Sequence, residues 1–419
     1  MSVDVVLVVV GATILALGLP STILKRMWLS VPLVALVIGI GLGPEGLGVL
    51  DLGQVNGEHR ALEELARVTL AVSLVAAGLQ FTRSDLRATW SRGAALLTIA
   101  MVGMWLMTSV GAWLLLDVEL WIALLIGAIL TPTDPVVASS LVTGRLAEAN
   151  LPRRLRRSLQ LEAGANDGLA LVFVLIPLLV LTLPGDDPGA IAGEAAGQVG
   201  LALAAGFGLG YVGAKVVDLA EDHHAASEGF FLVSALALAL LTVGAVHALG
   251  GSGVLASFVA GLTFSLTLGE RYAEELSQMQ TALESLLVVP VFVFFGALLP
   301  WDGWVGLGWA GPAFGLWALV LRRPPWAAVA LTVPRTPPRD LAFLSWYGPL
   351  GVAAIYYALF VGDHGLAEYE RIFAATTLAV AISIVVFSVT ATPGVRRYAG
   401  RSAFTTLRHP LTEDIDGAP

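Results

Sequence analysis

Apolar residues in this chain rarely alternate with polar ones; they come in long runs broken by short polar stretches. A helix needs about 20 mostly apolar residues to cross a bilayer. Thirteen stretches meet or approach that length: 3–20, 28–43, 61–81, 92–116, 119–142, 157–183, 190–216, 229–249, 252–268, 282–300, 303–321, 341–361 and 367–392. The segment 322–340 stays ambiguous, because its apolar part, 327–333, is too short to cross alone. The pattern predicts an all-α, polytopic membrane protein.

Two of these stretches are interrupted. The fifth carries Thr131-Pro132-Thr133-Asp134-Pro135 inside an otherwise apolar run. Each proline removes a backbone donor and clashes with the preceding turn, and Asp-Pro reads as a helix start with an acidic cap. One half-helix is therefore predicted to end near Leu130 and another to begin near Pro135. The twelfth stretch repeats the event at Tyr347-Gly348-Pro349-Leu350-Gly351. Irregular backbone at membrane depth is tolerated only within protein or beside a water-filled cavity. Spans 1–6 and 8–13 then read as two inverted six-helix repeats joined by span 7, and paired breaks in such repeats mark the ion site of secondary transporters.

Composition narrows the class. The chain is 57% hydrophobic and 13% charged with mean hydropathy +0.82, too apolar for a soluble core of this length. A net charge of −9 argues against a nucleic-acid partner. With no cysteine, disulfides and cysteine-ligated metal sites are excluded. The 46 glycines suit helices packed closely in lipid. Residues 3–19 lack a basic leader and carry Asp4, so they read as a retained first span.

Charge also sets an expected orientation, because cytoplasmic loops collect Lys and Arg. With the N-terminus outside and the C-terminus in the cytoplasm, every basic residue except Arg60, Arg67 and Arg371 falls in an inner segment, including Arg322 and Arg323. The acidic Asp186-Asp187 falls outside. No large soluble domain interrupts the spans, and residues 393–419 read as a short cytoplasmic tail. HExxH, paired-aspartate protease and repeated filter motifs are missing. An enzyme or channel is therefore not expected, and neither is a cofactor. The tryptophans are expected mainly as interface anchors and His247 as an interfacial or packed side chain.

The sixth stretch holds the candidate chemistry: Glu162-Ala-Gly164-Ala-Asn166-Asp167-Gly168. An acid inside a membrane is functional by default. Glu162 and Asn166 are four apart, on one helix face, and Asp167 is about 100° further round. Glu162 also lies near Arg154 and Arg157, so an ion pair is its competing role; Asp134 is open to a role as helix cap. A carboxylate, an amide oxygen and carbonyls freed by a broken helix are hard oxygen ligands, which suit a small cation such as Na⁺. The same carboxylate can hold a proton once the cation leaves. One site with two exclusive occupants is the minimal chemistry of exchange.

These residues carry a resemblance. Thr131–Pro135, Glu162–Asp167, Gly251-Ser-Gly-Val-Leu-Ala-Ser-Phe-Val-Ala-Gly261 and Trp346-Tyr-Gly-Pro-Leu-Gly-Val-Ala-Ala-Ile-Tyr-Tyr357 together resemble the cation–proton antiporter superfamily, in its NhaP-like sodium–proton branch. The resemblance implies a cell-membrane homodimer. A transmembrane domain over 1–392 would hold a core near 92–183 and 303–392 that moves against a dimerisation scaffold. It implies Asp167 as the acid binding ion and proton, Asn166 as holder of the geometry, Thr131 and Asp134 lining the crossing, and Na⁺ at Asp167 and Thr131. An Asn-Asp pair marks the branch held to be electroneutral. Two departures stand out. Leu350 replaces an arginine that would neutralise Glu162, so Glu162 is expected to pair with the Arg153–Arg157 cluster and to be structural. Ala76 or Ala77 stands where some NhaP-like proteins have a glutamate. A potassium–proton antiporter on the same scaffold and a sodium-coupled organic-anion symporter remain the alternatives.

Overall fold

Inside a bilayer every backbone amide and carbonyl needs an internal partner, and a helix supplies one within each segment. The computed structural model describes residues 3–18, 30–50, 58–134, 137, 149–183, 185, 188–223, 230–269 and 286–400, and among them there is no strand. We number its helices α1 (Val3–Gly18), α2 (Val31–Leu42), α3 (Glu58–Leu79), α4 (Arg83–Leu116), α5 (Leu120–Ile129), α6 (Arg153–Thr182), α7 (Pro188–Asp222) and α8 (Phe230–Ala248). There follow α9 (Gly253–Leu268), α10 (Leu286–Ala297), α11 (Trp301–Gly306), α12 (Ala310–Val320), α13 (Pro324–Thr332), α14 (Pro338–Trp346), α15 (Val352–Gly362) and α16 (Tyr369–Ala399). α4 contains a π-helical turn at Leu96–Ala100.

By length and composition four of the described helices suffice to cross a membrane alone: α4, most of α7 (Pro188–Ala220), α6 and α16. Shorter apolar helices occupy other expected spans. The ambiguous segment 322–340 forms α13, and the last helix continues through Pro393 to Ala399, past the expected end of the span at 392.

Among the described residues three apolar clusters organise the packing, the smallest around Ala202, Val246, Leu255 and Ala256. The largest joins α2–α6 and α9 to α10 and α12–α16, with Leu70, Ile126, Leu171, Phe292, Phe314, Tyr357 and Ile384 among its buried members. The second lies among α3, α7, α8 and α9, around Val72, Val75, Ala214, Leu238 and Phe264. α3 and α9 touch backbone to backbone: a Cβ at Gly78 would stand 2.5 Å from the amide nitrogen of Leu262. The outer face of α7 leaves Leu203, Phe207, Val212, Val216 and Leu219 exposed, as lipid requires.

Several tryptophans differ from the expected interface anchors. The indole of Trp105 donates to the Leu124 carbonyl and that of Trp317 to the Met107 carbonyl, both at 2.9 Å. These bonds tie α4 to α5 and α12. An indole N–H in an apolar interior needs an acceptor, and helix carbonyls are the ones at hand. Trp90 and Trp309 stay exposed.

Candidate functional site

The two interrupted segments meet. α5 ends at Ile129, and Thr131–Asp134 are non-helical and buried. α14 ends at Trp346, and Tyr347–Gly351 lead without helix into α15. The helix expected after Pro135 lies outside the described residues. The Asp134 amide donates to the Pro349 carbonyl at 2.8 Å, so the broken backbones bond directly to each other.

Breaking two helices at one depth leaves unpaired backbone groups of both signs. The sequence supplies a charge for each. Asp134 Oδ2 accepts the amide of Val352, the first residue of α15, at 2.5 Å. Its Oδ1 accepts the amide of Val137, three residues on, at 3.1 Å. One carboxylate therefore caps donors on both broken segments, where a helix start favours negative charge. The carbonyl ends are held by Arg322. Its Nη1 donates to the carbonyls of Leu130, Thr131 and Pro132 at 2.8, 3.2 and 3.1 Å, and its Nη2 to that of Gly348 at 2.5 Å. A guanidinium suits this task because its donors fan out in one plane. Of the two roles open to Asp134, the geometry displays the cap.

Room at the crossing is limited. A Cβ on Gly351 would run into the Asp134 carboxylate, whereas one on Gly306 meets nothing within 4 Å. Gly351→Ala is therefore expected to displace Asp134 and weaken the caps, costing about 1–2 kcal/mol; Gly306→Ala should be close to neutral. Thermal melting in detergent distinguishes the two.

Behind the crossing lies a second buried charge pair. Arg323 grips Glu162 with both terminal nitrogens, at 2.5 and 3.0 Å, and its Nη2 also donates to the Leu344 carbonyl at 3.0 Å. Both side chains are almost fully buried. This corrects the expectation that Glu162 pairs with the Arg153–Arg157 cluster. Arg153 and Arg157 instead reach Asp85, and Arg154 reaches Asp340. Leu350 is buried, and its amide takes the Ser383 hydroxyl as acceptor at 2.8 Å. The arginine wanted at position 350 comes from position 323, at the start of α13. Arg322 and Arg323 are thus withdrawn from the inner-loop charge count, being 2% and 1% exposed.

Glu162, Asn166 and Thr133 form one network. The Asn166 amide donates to Glu162 Oε1 at 3.0 Å and to the Thr133 hydroxyl at 2.8 Å, and its Oδ1 accepts the Thr133 amide at 3.1 Å. The Thr133 hydroxyl donates to Glu162 Oε1 at 3.2 Å. The four-residue spacing read from the sequence does place Glu162 and Asn166 together, and Asn166 clamps α6 to the broken segment. Thr131 is fully buried; its hydroxyl donates to the Gly127 carbonyl at 2.8 Å.

Asp167 differs from every other acid here. It is wholly buried, and neither carboxylate oxygen has a hydrogen-bond partner among the described residues. Its backbone carbonyl, by contrast, accepts the Tyr357 hydroxyl at 2.7 Å. From the sequence, Thr133 and Tyr357 carry no individual role, and Arg322 and Arg323 count as inner-segment charges rather than site residues. The signal for the arginines was present: Arg322-Arg323-Pro324-Pro325 begins the segment that was too short to span.

Comparison with known proteins places this arrangement in context. The profile of the family described as "Sodium/hydrogen exchanger, transmembrane" matches residues 9–397. The chain is 30% identical over 351 residues to the Na(+)/H(+) antiporter 2 of Zygosaccharomyces rouxii, covering 80% of this chain and 43% of that protein. It is 28% identical over 349 residues to the Na(+)/H(+) antiporter of Saccharomyces cerevisiae, covering 80% and 35%. With the K(+)/H(+) antiporter NhaP2 of Shewanella sp. it shares 27% over 396 residues, covering 92% and 66%. The chain thus spans less than half the length of the two yeast relatives. The solved structure of the sodium proton antiporter MjNhaP1 from Methanocaldococcus jannaschii at pH 8 superposes with TM-score 0.78 over 96% of this chain and 100% of that one, at 18% identity, which shows a shared fold.

Proposed function

The chain belongs to the sodium/hydrogen exchanger family, and from that premise we propose that it is a secondary-active antiporter exchanging Na⁺ or Li⁺ for H⁺ by alternating access, with Asp167 as the shared site. The observation that carries this reading is the balance of buried charge. The crossing holds three acids, Asp134, Glu162 and Asp167, against two arginines, Arg322 and Arg323. Asp134 and Glu162 are engaged by caps and by an ion pair. Asp167 alone is left with an unbalanced negative charge. One monovalent cation or one proton neutralises it, and the two exclude each other. Asn166 keeps α6 registered to the broken segment, and the Thr131 hydroxyl is a further hard oxygen on that segment.

Exchange in proteoliposomes with an internal pH dye tests the function: Na⁺ or Li⁺ added outside is expected to drive proton efflux. Potassium is the second reading, favoured by the bacterial relative named as a K(+)/H(+) antiporter. A pH response to K⁺ and none to Na⁺ decides for it.

The charge balance also predicts stoichiometry. Both loaded states carry the same charge, so a membrane potential, worth about 2.3 kcal/mol per charge per 100 mV, does no net work on the cycle. An imposed K⁺–valinomycin potential should leave rate and end-point unchanged. A shift with potential would mean that a second charge moves. Competition follows from the same site: apparent Na⁺ affinity should weaken as pH falls.

The moving core, near 92–183 and 303–392, and the homodimeric scaffold belong to this reading. So does a cell-membrane orientation with the N-terminus outside. Because the chain has no cysteine, single cysteines at positions 186 and 154 test it. An impermeant thiol reagent outside the cell should label position 186 and spare position 154; the reverse would invert the topology.

A further inference from the structure

Along α6, Arg153, Arg157, Gln160, Gly164 and Asp167 recur at spacings of four, three, four and three, so they form one stripe. At Gly164 this stripe faces α9 and α3: a Cβ there would stand 3.0 Å from the Phe258 ring and 3.2 Å from the Ala77 Cβ. One turn nearer the arginine-bearing end, the Gln160 amide donates to Gln80 Oε1 at 2.6 Å. Arg157 Nη1 donates to the same Gln80 oxygen at 3.1 Å and to Gln160 Oε1 at 3.0 Å. Its Nε lies 3.8 Å from Asp85 Oδ2, which also holds Arg153 at 3.1 Å. Gln80 and Gln160 are each 8% exposed, the Arg157 side chain 22%, and that of Arg153 64%. Polarity and exposure therefore rise together from Asp167 towards one membrane face. Beyond Asp167 in the other direction the stripe continues as Leu171, Val174 and Leu178, all buried.

A guanidinium nitrogen between two buried amide oxygens, with a carboxylate close by, occupies a place that also suits an alkali cation, which prefers hard oxygen ligands. We propose that Arg157, Gln80 and Gln160 form the gate on the route between Asp167 and the arginine-bearing face, with Arg157 as a tethered cation that vacates two amide oxygens to the transported ion when the gate opens. The transport part of this proposal rests on the antiport reading above; the gate itself does not. The chemistry favours a reversible device. Gln80 follows α3, whereas Asp85 lies on α4; residues of both helices are buried with α6 in the largest cluster, and the two acceptors of Arg157 thus sit on different elements. If α6 slides against α3, Arg157 loses Gln80 but keeps Asp85. The guanidinium is never left without an acceptor, so opening avoids the penalty of an unpaired charge.

A cysteine at Ala77, which is 5% exposed and stands against Gly164 about one turn before Gln80, reports the gate. In oriented vesicles, an impermeant cationic thiol reagent is added to the arginine-bearing face. Labelling of A77C should be slow. Adding Gln160→Ala or Arg157→Ala should speed it by roughly tenfold or more, the equivalent of losing one or two buried hydrogen bonds. Arg153→Ala, at the exposed end, should leave it unchanged. Separately, cysteines at positions 80 and 160 joined by a short bis-methanethiosulfonate, each thiolate displacing a sulfinate to form a reducible disulfide, should stop cation-driven proton flux, and reduction should restore it. Labelling that neither Gln160→Ala nor Arg157→Ala accelerates, or undiminished flux in the linked protein, overturns the gate. Accelerated labelling in a protein without cation-driven proton flux supports the gate and refutes the antiport reading instead.

Discussion

Replacing Asp167 with Asn is expected to yield a folded, membrane-inserted protein whose cation–proton exchange falls to the level of empty liposomes. The expectation rests on Asp167 being wholly buried with both carboxylate oxygens unpartnered among the described residues. No ion pair is broken by the change, and an amide of the same shape fills the same space. An isolated charge in a low-dielectric interior is costly, so thermal stability should hold or rise. Transport should not survive, because the buried charge then sums to zero and no occupant is required. The paired readouts are melting temperature in detergent and pH-dye flux in proteoliposomes. Near-normal flux in Asp167→Asn would move the site elsewhere.

The second large effect belongs to Arg323. Arg323→Ala removes the bidentate partner of Glu162 and leaves a carboxylate facing only neutral donors in a site that is 1–3% exposed. Breaking a buried pair from one side costs about 3–5 kcal/mol, because the remaining charge is uncompensated. The double variant Glu162→Gln/Arg323→Gln should recover much of that loss, since it removes both charges and keeps hydrogen-bonding capacity. Arg157→Ala should leave the pair's stability unaffected, which separates the observed partner from the one expected on sequence grounds. Melting curves of the unchanged protein, Glu162→Gln, Arg323→Gln and Glu162→Gln/Arg323→Gln form a double-mutant cycle. A coupling near zero would show that the pair does not hold the core together.

These predictions show how unevenly the molecule could be read from its chain. Helical class, the positions of most helices and both breaks were legible, because lipid permits few backbone solutions and proline has one effect on a helix. The pairing of Glu162 with Asn166 was legible too, since a four-residue spacing on one helix is a local fact. The partner of Glu162 was not. Counting arginines by side of the membrane put Arg322 and Arg323 in a loop, whereas the fold buries both. The identity of a charged partner depends on which segments meet, and residues 161 positions apart carry no periodic trace of each other.

The amino-acid sequence by itself determined a polytopic helical membrane protein with two helices broken at one depth and an acid-bearing helix beside them. Those features follow from hydropathy, proline geometry and helical spacing, all of which act over a few turns. Only the tertiary structure decided that Asp134 caps both broken segments, that Arg322 holds their carbonyl ends and that Arg323 neutralises Glu162. It alone left Asp167 as the acid without a partner among the described residues. Each of those outcomes is a balance of charge and hydrogen bonding among segments distant in the chain. In a medium without water the balance must be completed by whichever residues the fold brings to the crossing.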